Sequence, residues 1–135
     1  MTHTVEITGV EDCGNAPKKQ WLKSFNEAFA TGDVTYILDQ VADDVTWRII
    51  GESYTIQGKT AFAEELKAMT EYKVSGMHFD QIITHGSTGS ANGTVLMQNG
   101  RKYGFCDVYL FTGAGKKARL KEITSYVILL PSNSS

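Results

Sequence analysis

The chain is poor in residues that staple structure, coordinate metals or cross membranes. Among 135 residues there are two cysteines, two prolines and three histidines. Cys13 and Cys106 are too few for a disulfide framework, and neither belongs to a pair with zinc-ligand spacing. Both therefore read as reduced thiols, Cys106 as a small core side chain. His3, His78 and His85 are scattered, with no two at ligand spacing on one element, so the sequence gives a metal site no support. No apolar run reaches membrane-spanning length, and the opening Met1-Thr2-His3-Thr4-Val5-Glu6-Ile7 has neither a basic n-region nor an apolar h-region. The reading is a cytoplasmic protein without a membrane partner. An excess of one charge is also missing: 13 Lys and Arg against 15 Asp and Glu leave a net charge of -2, which gives no general pull towards nucleic acid. The glycines at Gly86, Gly89 and Gly93 suit turns and a bent strand, not a phosphate loop, because no helix follows them. With no nucleotide fingerprint and no Ser-His-Asp or Cys-His arrangement, no cofactor is indicated.

What is present fits one domain. Residues 1–14 alternate weakly at Val5 and Ile7 and read as an extended arm running into a capping turn at Asp12-Cys13-Gly14-Asn15. Trp21, Phe25 and Phe29, with Leu22 and Ala28, recur at helical spacing after Pro17. Gly32 ends this helix, and Asp33 caps a second whose stripe is Val34, Ile37, Leu38 and Val41. Val45 to Gly51 has strand composition, with Tyr54-Thr55-Ile56 as its hairpin partner, and Gly58-Lys59-Thr60 opens a third helix carrying Phe62, Ala63, Leu66 and Met69. After Val74 the pattern is β throughout, with strands at 78–84, 90–98, 101–112 and about 117–130. Asn99-Gly100 marks a primed-type hairpin turn, Gly113-Ala114-Gly115 joins the last two strands, and residues 131–135 form a tail. Helices first and a meander afterwards predict an α+β fold, with a curved and mostly antiparallel sheet wrapped around three N-terminal helices.

The stretch Tyr103-Gly104-Phe105-Cys106-Asp107-Val108-Tyr109-Leu110-Phe111 stands out as a strand with one acid among aromatics. Alternation puts Tyr103, Phe105, Asp107, Tyr109 and Phe111 on one side. A carboxylate in that row must be exposed, paired, or kept protonated by an apolar cavity. Cys106 takes the opposite face, so it cannot form a dyad with Asp107.

The order of elements resembles the SnoaL-like branch of the nuclear-transport-factor-2-like superfamily, the cone-shaped fold of ketosteroid isomerase, scytalone dehydratase and polyketide cyclases. The resemblance rests on Ala30-Thr31-Gly32-Asp33, Val41-Ala42-Asp43-Asp44-Val45-Thr46-Trp47, Gly58-Lys59-Thr60 and Cys106-Asp107-Val108-Tyr109-Leu110-Phe111, and spans about residues 15–130. It implies a cavity inside the cone. It also places Asp107 where ketosteroid isomerase has a protonated Asp, but Ile49 where the general base should be and Phe25 where the helix Tyr should be. With two of three working groups missing, that isomerisation mechanism is not expected.

By the same resemblance Trp47 and Ile49 face the cavity, Trp47 as core packing or as pocket wall, while Arg48 is a sheet-surface charge. Leu120, Glu122, Thr124 and Tyr126 form the cavity row of the last strand, and Ile123 and Val127 the outer row. Glu122 then either shares a proton with Asp107 or is a solvent-facing or salt-bridged residue at the rim. His78 either enters the cavity as a base or donor or stays at the surface. Lys116, Lys117, Arg119 and Lys121 read as a solvated hairpin end. The functional expectation is a cavity for an apolar or aromatic small molecule lined by Phe25, Trp47, Ile49, Tyr103, Phe105, Tyr109, Thr124 and Tyr126. Any chemistry would be cofactor-independent acid–base catalysis of isomerase, dehydratase, cyclase or hydrolase type, with Asp107, His78 and Glu122 as catalytic candidates. The alternative is a non-catalytic, dimeric protein-interaction module. Either way the outer face, with Ile123, Val127, Val108 and Leu110, predicts a homodimer.

Overall fold

A computed structural model describes residues 5–10, 17–52, 54–115 and 117–131. The capping turn expected at Asp12 to Asn15, Lys116 of the basic cluster and residues 132–135 of the tail lie outside the described residues. In chain order the elements are β1 (Glu6–Thr8), α1 (Pro17–Thr31), α2 (Val34–Gln40), β2 (Val41–Ile50), β3 (Tyr54–Gln57), α3 (Lys59–Met69), β4 (Val74–His85), β5 (Thr88–Met97), β6 (Lys102–Phe111) and β7 (Leu120–Leu129). No helix among them is long and apolar enough to cross a membrane.

The helices form for local reasons. α1 ends where Gly32 takes φ +79°, a left-handed conformation that costs glycine little. Asp33 then caps α2, its carboxylate accepting the Tyr36 backbone N–H at 3.2 Å. The Trp21 indole N–H donates to Gln40 Oε1 at 2.9 Å and ties α1 to the end of α2. Val41, expected to close the α2 stripe, is instead the first residue of β2; its extended backbone (φ -103°, ψ 153°) suits a β-branched side chain, and it is buried against the sheet opposite Leu120. The first long strand therefore starts four residues before Val45.

The sheet has seven strands in the order β1-β4-β5-β6-β7-β2-β3, with β6 in the middle and its ends unclosed. It is mixed, because β1 pairs with β4 and β2 with β7 in parallel, while the remaining neighbours are antiparallel. Its curvature comes from bulges, which bend a strand and sharpen its twist. In β4, Phe79 faces Gly93 and Gln81 faces Asn92, leaving Asp80 as an extra residue. The backbones close so tightly there that a Cβ on Gly93 would lie 1.9 Å from the His78 carbonyl oxygen. In β7, Glu122 faces Leu110 and Leu120 faces Phe111, leaving Lys121 as an extra residue.

The concave face wraps an aromatic chain. Phe111 meets Trp21 edge-on at 5.0 Å between ring centroids, Trp21 stacks on Phe25 at 4.9 Å, Phe25 meets Phe29 at 5.2 Å, Phe29 meets Trp47 at 5.7 Å and Trp47 leans on Phe62 at 5.3 Å. This chain links β6, α1, β2 and α3, so the helices are locked inside the cone by large apolar surfaces.

The β5–β6 turn differs from the primed type expected at Asn99-Gly100. Met97 N–H donates to Arg101 O at 2.8 Å, enclosing a three-residue loop, and Gly100 N–H donates back to Met97 O at 3.0 Å. Asn99 keeps a negative φ and accepts the Arg101 N–H on its side chain at 2.9 Å, whereas Gly100 takes φ +91°. This is a type I turn followed by a left-handed glycine, the usual three-residue hairpin solution. Space around Gly100 is open, so a substitution there tests backbone conformation alone. Gly100→Val is expected to lower stability by about 1–2 kcal/mol, since β-branched residues are strained at positive φ. Chemical denaturation at constant m-value checks this, and an unchanged midpoint would contradict the turn geometry.

Candidate functional site

The curved sheet, α1 and α3 leave a cavity of about 540 Å³. α1 contributes Asn26, Phe29 and Ala30; α3 contributes Glu65 and Met69; Tyr72 follows α3. The sheet supplies Trp47 and Ile49 from β2, Val74 and Met77 from β4, Val95 and Met97 from β5, Tyr103, Phe105, Asp107 and Tyr109 from β6, and Ile123, Ser125 and Val127 from β7. Its size and apolar walls with few polar groups suit a small organic ligand.

The polar groups converge on Asp107. Tyr109 Oη lies 3.2 Å from Asp107 Oδ2, and the Ser125 hydroxyl also hydrogen-bonds to the carboxylate. Behind Tyr109, the Asn26 amide donates to Tyr109 Oη at 2.9 Å and to the Leu22 carbonyl at 2.8 Å. Behind Ser125, the Trp47 indole N–H donates to Ser125 Oγ at 2.9 Å. Asp107 retains some accessible surface only because it borders the cavity; protein atoms surround it otherwise. Burial pushes its carboxyl up from 3.8 to about 6, against the lowering effect of the Ser125 and Tyr109 hydrogen bonds. Burial, reinforced by the charge of Asp107, likewise holds the Tyr109 phenol well above its ordinary value, although the Asn26 hydrogen bond opposes this. Tyr109 thus stays a donor.

A family model for the SnoaL-like domain matches residues 22–120. The chain belongs to the SnoaL-like family. Among solved structures, an NTF-2-like protein of unknown function from Burkholderia xenovorans LB400 is 20% identical, with 84% of this chain and 86% of that one covered at a TM-score of 0.68. The epoxide hydrolase/cyclase-like enzyme SalBIII, connected with pyran ring formation in the polyether salinomycin, is 14% identical, with 84% and 93% covered at a TM-score of 0.69. A de novo designed protein with a curved β-sheet is 16% identical, with 84% and 88% covered at a TM-score of 0.67. No curated protein matches the sequence. At these identities the likeness establishes the NTF2-like fold alone, and a fold does not fix an activity.

Within this SnoaL-like domain, Trp47, Ile49, Tyr103, Phe105, Asp107 and Tyr109 line the cavity. Phe25 does not: it is fully buried in the aromatic chain behind the wall, and the next residue, Asn26, reaches the site instead. The β7 row expected to face inward is reversed beyond Leu120. The extra residue at Lys121 shifts the alternation, so Ile123, Ser125 and Val127 point into the cone while Glu122, Thr124 and Tyr126 point outward. Glu122 accordingly pairs with Arg48 on the outer surface. His78 is also outside, because Met77 and Phe79 on either side fill the inner face; it contacts Thr8 Oγ1 at 2.7 Å and Asp80 Oδ1 at 3.5 Å. Cys106 is only half-buried, not a core side chain, on the face opposite Asp107.

Two members of the polar cluster, Asn26 and Ser125, were not singled out from the sequence. Asn26 lies four residues after Leu22 and three before Phe29, so a polar residue inside an apolar helical stripe was the available signal. For Ser125 the signal was that Ile123 and Val127 on its row are apolar, whereas Glu122 and Thr124 are not.

The elevated Asp107 pKa fixes a pH dependence. The folded state binds this proton more tightly than the unfolded chain, so the group favours folding below about pH 4. That contribution is lost as pH rises through about 6, and above it the buried carboxylate opposes folding. Asp107→Asn is therefore expected to stabilise the protein by about 1–2 kcal/mol at neutral pH, with the gain vanishing near pH 4. Parallel denaturation curves at the two pH values check this, and a gain that grew on acidification would have the wrong sign.

Proposed function

We propose that the domain binds an apolar or aromatic small molecule in the cone and performs cofactor-independent acid–base chemistry on it, with Asp107 as the group that exchanges a proton. The observation that carries this reading is the Asp107 carboxyl group, raised to about 6, hydrogen-bonded by Tyr109 and Ser125 at the wall of an open apolar cavity. A base poised near neutrality combines a useful ionised fraction with real affinity for a proton. Tyr109 and Ser125 hold the carboxylate in place, and the surrounding aromatic rings exclude water and accept flat ligands. The structural neighbour SalBIII, described as an epoxide hydrolase/cyclase-like enzyme, supports this reading. Native mass spectrometry of the purified protein is expected to show a retained small molecule. Turnover of a matching substrate should fall at least about a hundredfold in Asp107→Asn, as for loss of a general base. Protein that retains nothing, and whose cavity NMR signals do not respond to a panel of apolar aromatic compounds, would remove the reading.

We further propose a homodimer built on the outer face of β6 and β7. The face differs from the one expected, since Ile123 and Val127 turn inward; Val108 and Leu110 stay outward, joined by Tyr126 and Ile128, and Val108, Tyr126 and Ile128 are 44%, 46% and 67% exposed. Neighbouring exposed apolar side chains on a sheet suit a self-complementary contact. Light scattering at micromolar concentration is expected to give twice the monomer mass, and a strictly monomeric result would refute the contact.

A further inference from the structure

Hydrogen-bond donors and acceptors around Asp107 have a fixed direction. An indole nitrogen can only donate, so the Trp47 N–H to Ser125 Oγ contact obliges the Ser125 hydroxyl proton to point elsewhere, towards Asp107. The Leu22 carbonyl can only accept, so the atom of Asn26 that lies 2.8 Å from it must be the amide nitrogen. That nitrogen then gives its second proton to Tyr109 Oη, and the phenol proton is directed to Asp107 Oδ2. Both arms of the network deliver a proton to the same carboxylate. The nearby hydroxyl oxygens each already receive a donor from behind, and their own protons are committed to Asp107. Among the described residues lining the cavity there is no Lys, Arg or His, while there are two carboxyl groups, Asp107 and Glu65.

From this polarity we infer that the cavity selects uncharged apolar ligands that present a hydrogen-bond donor to Asp107, such as a phenol, enol or alcohol hydroxyl, and discriminates against carboxylates and against ligands with acceptors only. The inference rests on the reading of the cone as a small-molecule site. An acceptor-only ligand would face an acceptor, leaving both groups unpaired in an apolar site, and a carboxylate would place a negative group beside Asp107 with no cation among the described lining residues to meet it. A donor satisfies the remaining lone pairs of Asp107 without disturbing either arm. The arrangement also limits the chemistry. If a ligand O–H or acidic C–H bond breaks and its proton moves to Asp107, the electron pair stays on the ligand. The new carboxyl proton then faces the cavity, because the internal oxygens already point their own protons at Asp107. Returned to a different atom of the same ligand, it completes a rearrangement with no net change in atoms or electrons, as in an isomerisation or a ring closure.

The test uses three ligands with one ring system: 2-naphthol as donor, 2-methoxynaphthalene as acceptor only, and 2-naphthoate as anion. Each is titrated into the full-length protein at neutral pH and followed by calorimetry and by NMR shifts of cavity methyl groups. 2-Naphthol is expected to bind at least about tenfold more tightly than either of the others, the scale of one hydrogen bond to a charged group. In Asp107→Asn, whose amide can turn an N–H towards the cavity, the advantage of naphthol over methoxynaphthalene should disappear. Naphthoate or methoxynaphthalene binding as well as naphthol, or a preference unchanged in Asp107→Asn, would overturn the inference while leaving the cavity a ligand site. Binding of none of the three would overturn both the inference and the reading on which it rests.

Discussion

A carboxyl group placed on the middle strand of a sheet, facing the core, is the constraint on which the rest of this molecule depends. Left without donors it would cost the fold several kcal/mol and push the group to a permanently neutral state. Tyr109 and Ser125 supply the donors, but each is itself a buried polar group with an oxygen to satisfy. The requirement therefore passes outward, to Asn26 on α1 and to Trp47 on β2. Four elements, α1, β2, β6 and β7, are held in one relative placement by a chain of directed hydrogen bonds, where apolar packing alone would tolerate small slips.

Apolar packing supplies the surroundings in which that network has its effect. The aromatic chain from Phe111 through Trp21, Phe25, Phe29 and Trp47 to Phe62 fixes the helices within the cone and lowers the local dielectric around Asp107. Trp47 belongs to both systems, its ring packed between Phe29 and Phe62 and its N–H committed to Ser125. The bulge at Asp80 and the close backbone approach at Gly93 lie in the bent sheet, and a cavity of about 540 Å³ remains between that sheet and the helices. An unfilled apolar cavity forfeits packing energy, which proteins tolerate where the space is used.

What could be read from the chain follows from how local each feature is. β6 was legible because strict alternation over Tyr103, Phe105, Asp107, Tyr109 and Phe111 needs no partner to interpret it, and those side chains do share the inner face. β7 was not, because one extra residue at Lys121 inverts everything beyond Leu120, and a bulge is a property of two strands together. The side chains themselves gave the better clue: Ile123 and Val127 are apolar, and Glu122 has its partner, Arg48, on the outer surface. On α1 the aromatic residue of the stripe drew attention to Phe25, although the polar intruder beside it, Asn26, reaches the site. His78 shows the same lesson on β4, where Met77 and Phe79 settle which face is inner.

The resemblance to ketosteroid isomerase can now be judged by polarity as well as by position. In that arrangement a Tyr and a protonated Asp both donate to the oxygen of the ligand, and a separate Asp acts as base. Here Ile49, which the resemblance aligns with that base, lines the cavity, and the phenol hydrogen-bonded to Asp107 is that of Tyr109, two residues along the same strand. Asn26 holds that phenol so that it donates to Asp107 and not to a ligand. The same pair of residue types therefore has the opposite sense: two donors spent on one carboxylate keep it an acceptor, so that under the proposed function Asp107 works as a base where the resemblance aligns it with an acid. Under the proposed acid–base reading, a single carboxylate that both removes and returns the proton suits ligands whose two reacting atoms can reach it.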